Sequence, residues 1–128
     1  MNLMTIRIGW GDADKAYIYV QFIGYWTLQE YDAVCKKWSE LIQQVDAPLS
    51  VIANFADSQG TPRDAWRHVA QSLPSFMEKG EIIIILGMSA VLDAYNHLSM
   101  SISPETAERI KTLPTLLAAL DYLKQHKH

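Results

Sequence analysis

The stretch Tyr17 to Asp32, YIYVQFIGYWTLQEYD, changes its hydrophobic period midway, and that change decides the fold class. Up to Ile23 the pattern alternates. Ile18, Val20 and Phe22 share one face and Tyr17, Tyr19 and Gln21 the other, as the period of a half-buried strand requires. Beyond Gly24 the spacing becomes helical, with Leu28, Tyr31, Val34, Cys35, Trp38, Leu41, Ile42 and Val45 on one stripe. Thr27 followed by Glu30 forms a capping box, in which each side chain satisfies a backbone donor at the helix start. A strand that passes through glycine into an amphipathic helix is the elementary unit of an α/β domain.

Outward from this unit, residues 4 to 10 alternate as well, with Met4, Ile6 and Ile8 on one face and Thr5 and Arg7 on the other. Gly11, Asp12 and Asp14 separate them from the second strand, which is expected over residues 16 to 23, so the two strands read as a hairpin. On the other side, Pro48 stops the helix. Leu49 to Phe55 then form an apolar, β-branched run suited to a strand buried on both faces. A loop is expected from Ala56 to Thr61, then a helix with Thr61 as cap, Pro62 first and Asp64 in its first turn, continuing through Trp66, Val69 and Leu73 to Pro74.

Glu81 to Gly87, with Ile82, Ile83, Ile84, Ile85 and Leu86, is expected to be the central strand, and Ser89 to cap a helix reaching about Leu98. Between Ser99 and Thr112 the pattern allows either a helical extension over Pro104 to Arg109 or an edge strand over Arg109 to Thr112. The edge strand is favoured. A last helix opened by Pro114 turns the stripe Leu113, Leu116, Leu117, Leu120 and Leu123 to the core. The resulting order is β-β-α-β-α-β-α-β-α. It implies an α/β fold: a mixed β-sheet of about five strands, an N-terminal hairpin then βα units, packed against about four helices in a single domain over residues 1–128.

Composition narrows the function classes. The 128 residues are 49% hydrophobic, enough for one continuous core. Lys and Arg number 11 against 14 Asp and Glu, a net charge of −3, and no basic cluster precedes the last few residues, so nucleic acid is not expected as a partner. The opening MNLMTIRIGW carries neither a basic flank nor a long apolar run, and no later run is long enough for a membrane span. The protein is expected to be cytoplasmic. Its one cysteine, Cys35, excludes an internal disulfide and a cysteine-based zinc site.

Three phrases carry a family resemblance: YIYVQFIGYWTLQEYD; SVIANFADSQG at 50–60, a buried strand and loop; and RIKTLPTLLAALDYL at 109–123, an edge strand and final helix. Together with the element order they resemble the STAS family, the anti-sigma-factor antagonist fold, and above all its divergent STAS/SEC14-like branch. The resemblance spans most of the chain. It implies a regulatory or protein-interaction module, with a phosphorylatable serine in the loop after the third strand. In that family the strand carries an Asp near its end, followed by Asp-Ser-Ser-Gly. Here the strand position is Asn54 and the loop reads Asp57-Ser58-Gln59-Gly60, with a shorter spacing. The SEC14-like relatives imply a lipid or another small apolar ligand, for which a cavity would compete with the core of so short a chain.

Ser58 and Thr61 are therefore the candidate phospho-acceptor or anion site, at a strand end just before a helix start where free backbone N–H groups favour anions. Ser58 is expected to be solvent accessible, with a phosphate there lying beside Asp57. Asp57, Gln59, Gly60 and Arg63 are the candidate partner-binding residues. The competing reading of the same residues is a structural turn, with Asp57 and Ser58 bonding nearby backbone. Trp26, Tyr31 and Trp38 are candidate lining for an apolar pocket, although such a stripe is more often core.

Tyr17 and Tyr19 mark either an uncovered aromatic interface or a face that a helix covers. His68 and His97 stand singly on separate predicted helices, and His126 and His128 belong to a polar tail, so no metal site is expected and no cofactor is implied. Asp57 and Asp64 have no predictable geometry as a carboxylate pair, and Cys35 lies in the apolar stripe. Three functions follow in order. First is a non-catalytic module that binds a protein partner or its own copy as a homodimer. Second is a small-ligand carrier. Last is an enzyme centred on Asp57 to Arg63, for which no nucleophile, base and orienting group can be assembled.

Overall fold

Ile6 to Trp10 (β1) and Tyr17 to Tyr25 (β2) pair antiparallel in the register Ile6↔Phe22, Ile8↔Val20 and Trp10↔Ile18, which sets the expected apolar residues directly opposite one another. The computed structural model describes residues 6–11, 17–45, 49–60, 68, 82–87 and 108–125. The hairpin turn at Asp12 and Asp14, the helix expected from Thr61 and the helix expected from Ser89 to Leu98 lie outside the described residues, apart from the helical His68.

After β2, Gly24 adopts a φ of 62°, a conformation open to glycine, and Thr27 caps helix α1, Leu28 to Ile42. Glu30 N donates to Thr27 Oγ1 at 3.1 Å, and that hydroxyl donates back to Glu30 Oε1 at 3.1 Å. The box thus closes between the two side chains. The buried stripe is Tyr31, Val34, Trp38 and Leu41, as the spacing predicts. The helix ends at Ile42 rather than running to Val45, because Gln44 N and Val45 N turn back to Leu41 O and Ile42 O in a tightened last turn. Val45 still packs on the core.

Strand β3 follows at Ser50 to Gly60, β4 at Ile83 to Leu86 and β5 at Ile110 to Leu113, and helix α2 at Leu116 to Gln125. The sheet order is β1-β2-β3-β4-β5, antiparallel at the first pair and parallel thereafter. Among the described residues this is a mixed five-stranded sheet with a helix on each face. Facing α1 lie Ile18, Val20, Phe22, Val51, Phe55, Ile83 and Ile85. Facing α2 lie Ile52, Ile84 and Leu86 around Ala119. Two covered faces explain why β3 and β4 read as unbroken apolar runs.

Several expectations are corrected. The loop from Ala56 to Thr61 is replaced as far as Gly60 by the continuation of β3, because β2 is nine residues long and offers its outer end as a ladder for those residues. Turn-forming side chains are overridden by tertiary pairing. β3, not β4, is central; burial on both faces marks any interior strand and does not single out the middle one. The edge strand at the end of the sheet is present one residue later than expected.

Helix α2 is capped by Thr115, whose Oγ1 accepts from Ala118 N at 3.1 Å, and not opened by Pro114. Its first turn leaves from the sheet edge, so Leu116 and Leu117 are 38% and 75% exposed, while Ala119, Leu120, Tyr122 and Leu123 make the contact. Tyr17 and Tyr19 pack against this second cluster, so a helix does cover their face.

Trp38 is 8% exposed in the α1 layer. Trp38→Ala should cost on the order of 3 to 5 kcal/mol in a chemical melt, the usual cost of removing a buried tryptophan. A loss below about 1 kcal/mol would mean that this face of α1 does not anchor the fold.

Candidate functional site

Strands β2 to β5 run parallel, so their carboxyl ends share one edge, the edge at which open α/β sheets place their sites. At that edge the β2–β3 ladder is irregular. The pairs are Gln21↔Asn54, Ile23↔Asp57, Gly24↔Ser58 and Tyr25↔Gly60. From the first pair to the second β2 advances two residues and β3 three; from the third to the fourth β2 advances one and β3 two. Each mismatch is a bulge with its extra residue on β3.

The first bulge reverses the alternation of β3. Phe55 faces α1, stacked on Phe22 with ring centroids 4.1 Å apart. In a regular strand Asp57 would share that face and Ser58 the other. Instead Gln21 Nε2 donates to Asp57 Oδ2 at 3.0 Å, which puts Asp57 with Tyr19 and Asn54 on the α2 side. Trp26 Nε1 donates to Ser58 Oγ at 3.3 Å, which puts Ser58 on the α1 side against an indole only 3% exposed.

Asn54 holds the irregularity together. Its Nδ2 donates to Tyr19 OH at 2.7 Å and its Oδ1 accepts from Ala56 N at 2.9 Å, the amide that the bulge displaces from the ladder. From the other side the chain leaving β4 closes on the same peptide. Gly87 has a φ of 114°, and a Cβ there would lie 2.9 Å from both Ala56 N and Phe55 C.

The expected site residues are distributed as follows. Asp57 is exposed and Ser58 half-buried, both on a strand and on opposite faces, so a phosphate on Ser58 would not sit beside Asp57. Gln59 and Gly60 belong to the backbone of β3; Thr61 and Arg63 lie outside the described residues, as do Asp64, His97, His126 and His128. Trp26, Tyr31 and Trp38 are 3%, 8% and 8% exposed, and they belong to the core cluster beneath α1. The rings of Trp26 and Tyr31 lie 6.3 Å apart.

A second polar cluster escapes the sequence reading. His68 Nε2 lies 2.7 Å from Asp32 Oδ1, and its ring meets Tyr31 edge-on with centroids 5.7 Å apart. No periodic signal links Asp32 to His68, which stand 36 residues apart in the chain. Both side chains are more than a third exposed, so the pair adds at most about 1 kcal/mol. Among the described residues no group of three or more His, Cys, Asp or Glu is placed to hold a metal ion. No described helix is long and apolar enough to cross a membrane.

Cys35 is half-buried, and burial pushes its thiol from an ordinary 9.0 up to about 11, opposed by a side-chain hydrogen bond to Tyr31 and reinforced by the charge of Asp32. At neutral pH it is a thiol, not a nucleophile. Its alkylation by iodoacetamide at pH 8 should run about tenfold or more slower than that of free cysteine, the smaller thiolate fraction outweighing the greater nucleophilicity of a more basic thiolate. A rate within about threefold of free cysteine would show that the thiolate is stabilised. Gly87→Ala should cost on the order of 2 kcal/mol or more, since a methyl group meets backbone and the φ is strained. An unchanged denaturation midpoint would show that β4 does not close on the bulge.

No protein-family model matches the chain, and no curated protein matches it. Among solved structures it is similar to the crystal structure of an uncharacterized protein of the DUF3478 family with a SpoIIAA-like fold, from Shewanella loihica PV-4. The TM-score is 0.69 and the identity 14%, over 96% of this chain and 97% of that one. The likeness is one of architecture: the hairpin, the parallel strands and the flanking helices form a SpoIIAA-like α/β fold.

Proposed function

We propose that the chain is a non-catalytic regulatory or protein-interaction module of the STAS type, whose contact surface is the carboxyl edge of the sheet around the end of β3. The observation that carries this reading is the bulged β2–β3 end. It places the exposed Asp57 and the half-buried Ser58 on opposite faces of one strand, beside Tyr25, which is 72% exposed. A strand paired to its neighbour presents such groups at fixed positions, which lowers the ordering cost of an encounter. Gln59, Gly60, Thr61 and Arg63, next in the chain, are proposed as further contact residues, and the partner is another protein or a second copy.

Ser58 remains the candidate phospho-acceptor, but with a different consequence from that of a loop serine. A phosphate there must displace the bond from Trp26 and draw a charge up to an apolar layer, so modification would loosen the strand end rather than decorate a loop. The carrier reading draws no comparable support, because Trp26, Tyr31 and Trp38 pack as core. An enzymatic reading draws no comparable support: burial pushes the Cys35 thiol up to about 11, away from the thiolate a nucleophile needs.

The test compares the wild-type chain with Tyr25→Ala and Asp57→Arg, both exposed changes that should shift stability by about 0.5 kcal/mol or less. Immobilised on resin, the wild type should retain a stoichiometric protein, or elute as a dimer by light scattering, and both variants should lose that association while melting unchanged. A small molecule retained in stoichiometric amount in native mass spectra, with no protein association, would replace the interaction reading with the carrier.

A further inference from the structure

The end of β3 is held out of regular alternation by one side chain, and we infer that Asn54 is the positioning residue of the contact edge: its two bonds fix the bulge that sends Asp57 and Ser58 to opposite faces. The functional weight of this inference rests on the interaction reading above; the geometry stands apart from it. A bulge in a parallel ladder leaves an amide without its strand partner. Here that amide is Ala56 N, and Asn54 Oδ1 takes it at 2.9 Å. The carboxamide cannot swing away to solvent, because its Nδ2 is spent on Tyr19 OH at 2.7 Å across the strand pair.

The two bonds also fix which way round the carboxamide sits. Nδ2 has the protons that the phenol oxygen accepts, and Oδ1 has the lone pair that the amide requires. Tyr19 is itself held by the second core cluster beside α2, so the clamp is referred back to the packed sheet. Beyond the clamp, β4 no longer pairs with β3, since their register ends at Asn54↔Leu86. Among the described residues the outer segment pairs with β2 and with no second strand, and Gln21 meets Asp57 and Trp26 meets Ser58 in the bulged register. Sliding β3 by one residue to remove the bulge would exchange the two faces.

Three variants of the full chain test this by amide hydrogen exchange and NMR, with no partner required. Asn54→Val removes both bonds and fills similar space. The Ala56 amide should then exchange at least about tenfold faster, the Trp26 indole N–H resonance should move and the Gln21–Asp57 contact should disappear, while the Ile52 and Ile84 amides stay protected.

Tyr19→Phe removes only the outer bond and should speed Ala56 exchange by a smaller factor. Asn54→Asp should rescue the register, since a carboxylate oxygen still accepts from Ala56 N and the Tyr19 hydroxyl can donate to the other. A general loss of protection at Ile52 and Ile84 in Asn54→Val would signal unfolding, and Tyr19→Phe against Asn54→Asp then decides between clamp and packing. If Ala56 stays protected and Gln21 stays on Asp57 in Asn54→Val, or if Asn54→Asp behaves like Asn54→Val, the clamp is wrong. Failure to find any partner would leave these results untouched and would count against the interaction reading only.

Discussion

A strand covered on both faces can satisfy its backbone only through the strands beside it, and in this molecule that demand falls on β3. Along Val51 to Asn54 it is met twice, by β2 on one side and by β4 on the other, and there the side chains are apolar and the register regular. Past Asn54 no second strand pairs with β3 among the described residues. Pairing on one side alone tolerates insertions that pairing on both sides would forbid, because only one ladder has to absorb the extra residue. Both bulges lie in this singly paired stretch. The boundary between the regular and the irregular part is the residue whose side chain, in place of a strand, bonds the displaced amide.

The core was legible because its signals are periodic. Alternation in β1 and β2 and the stripe of α1 each repeat often enough to fix a face, and the short β-branched run from Ile83 to Leu86, too short for a helix, suits a doubly covered strand. What escaped was decided by partners distant in sequence. Ala56 to Gly60 carries residues that make a turn wherever no strand lies alongside, and nothing local says that β2 extends as far as Tyr25 to meet them. The start of α2 was misjudged for a related reason. Leu116 and Leu117 are as apolar as Leu120 and Leu123, and only the point at which the chain leaves β5 decides that the first turn lies beyond the sheet.

The candidate site was legible in place but not in form. Position in the chain put Asp57 and Ser58 at the carboxyl edge, which is a matter of topology, and topology followed from the element order. Their orientation depended on one extra residue in the ladder, which no pattern of hydrophobicity encodes. The aromatic candidates illustrate the converse. Trp26, Tyr31 and Trp38 stood out because large side chains on a helical stripe are conspicuous, yet their size is what lets them fill the space beneath α1. His68 and Asp32 lie 36 residues apart, and their meeting is a product of the fold alone.

These constraints divide the residues of the edge into two kinds. Positions 54 and 87 form its frame. The first needs a side-chain acceptor placed to reach its neighbour's amide, and the second has no room for a Cβ beside Ala56 N. Positions 25 and 57 lie outside the frame: Tyr25 is 72% exposed, and Asp57 is exposed and bonded to Gln21. Position 58 belongs to both kinds, because its hydroxyl serves a buried indole while its backbone lies in the outer ladder. Side chains at 25 and 57 can be exchanged without disturbing the sheet beneath, whereas a change at position 58 is felt under α1 as well as in the outer ladder.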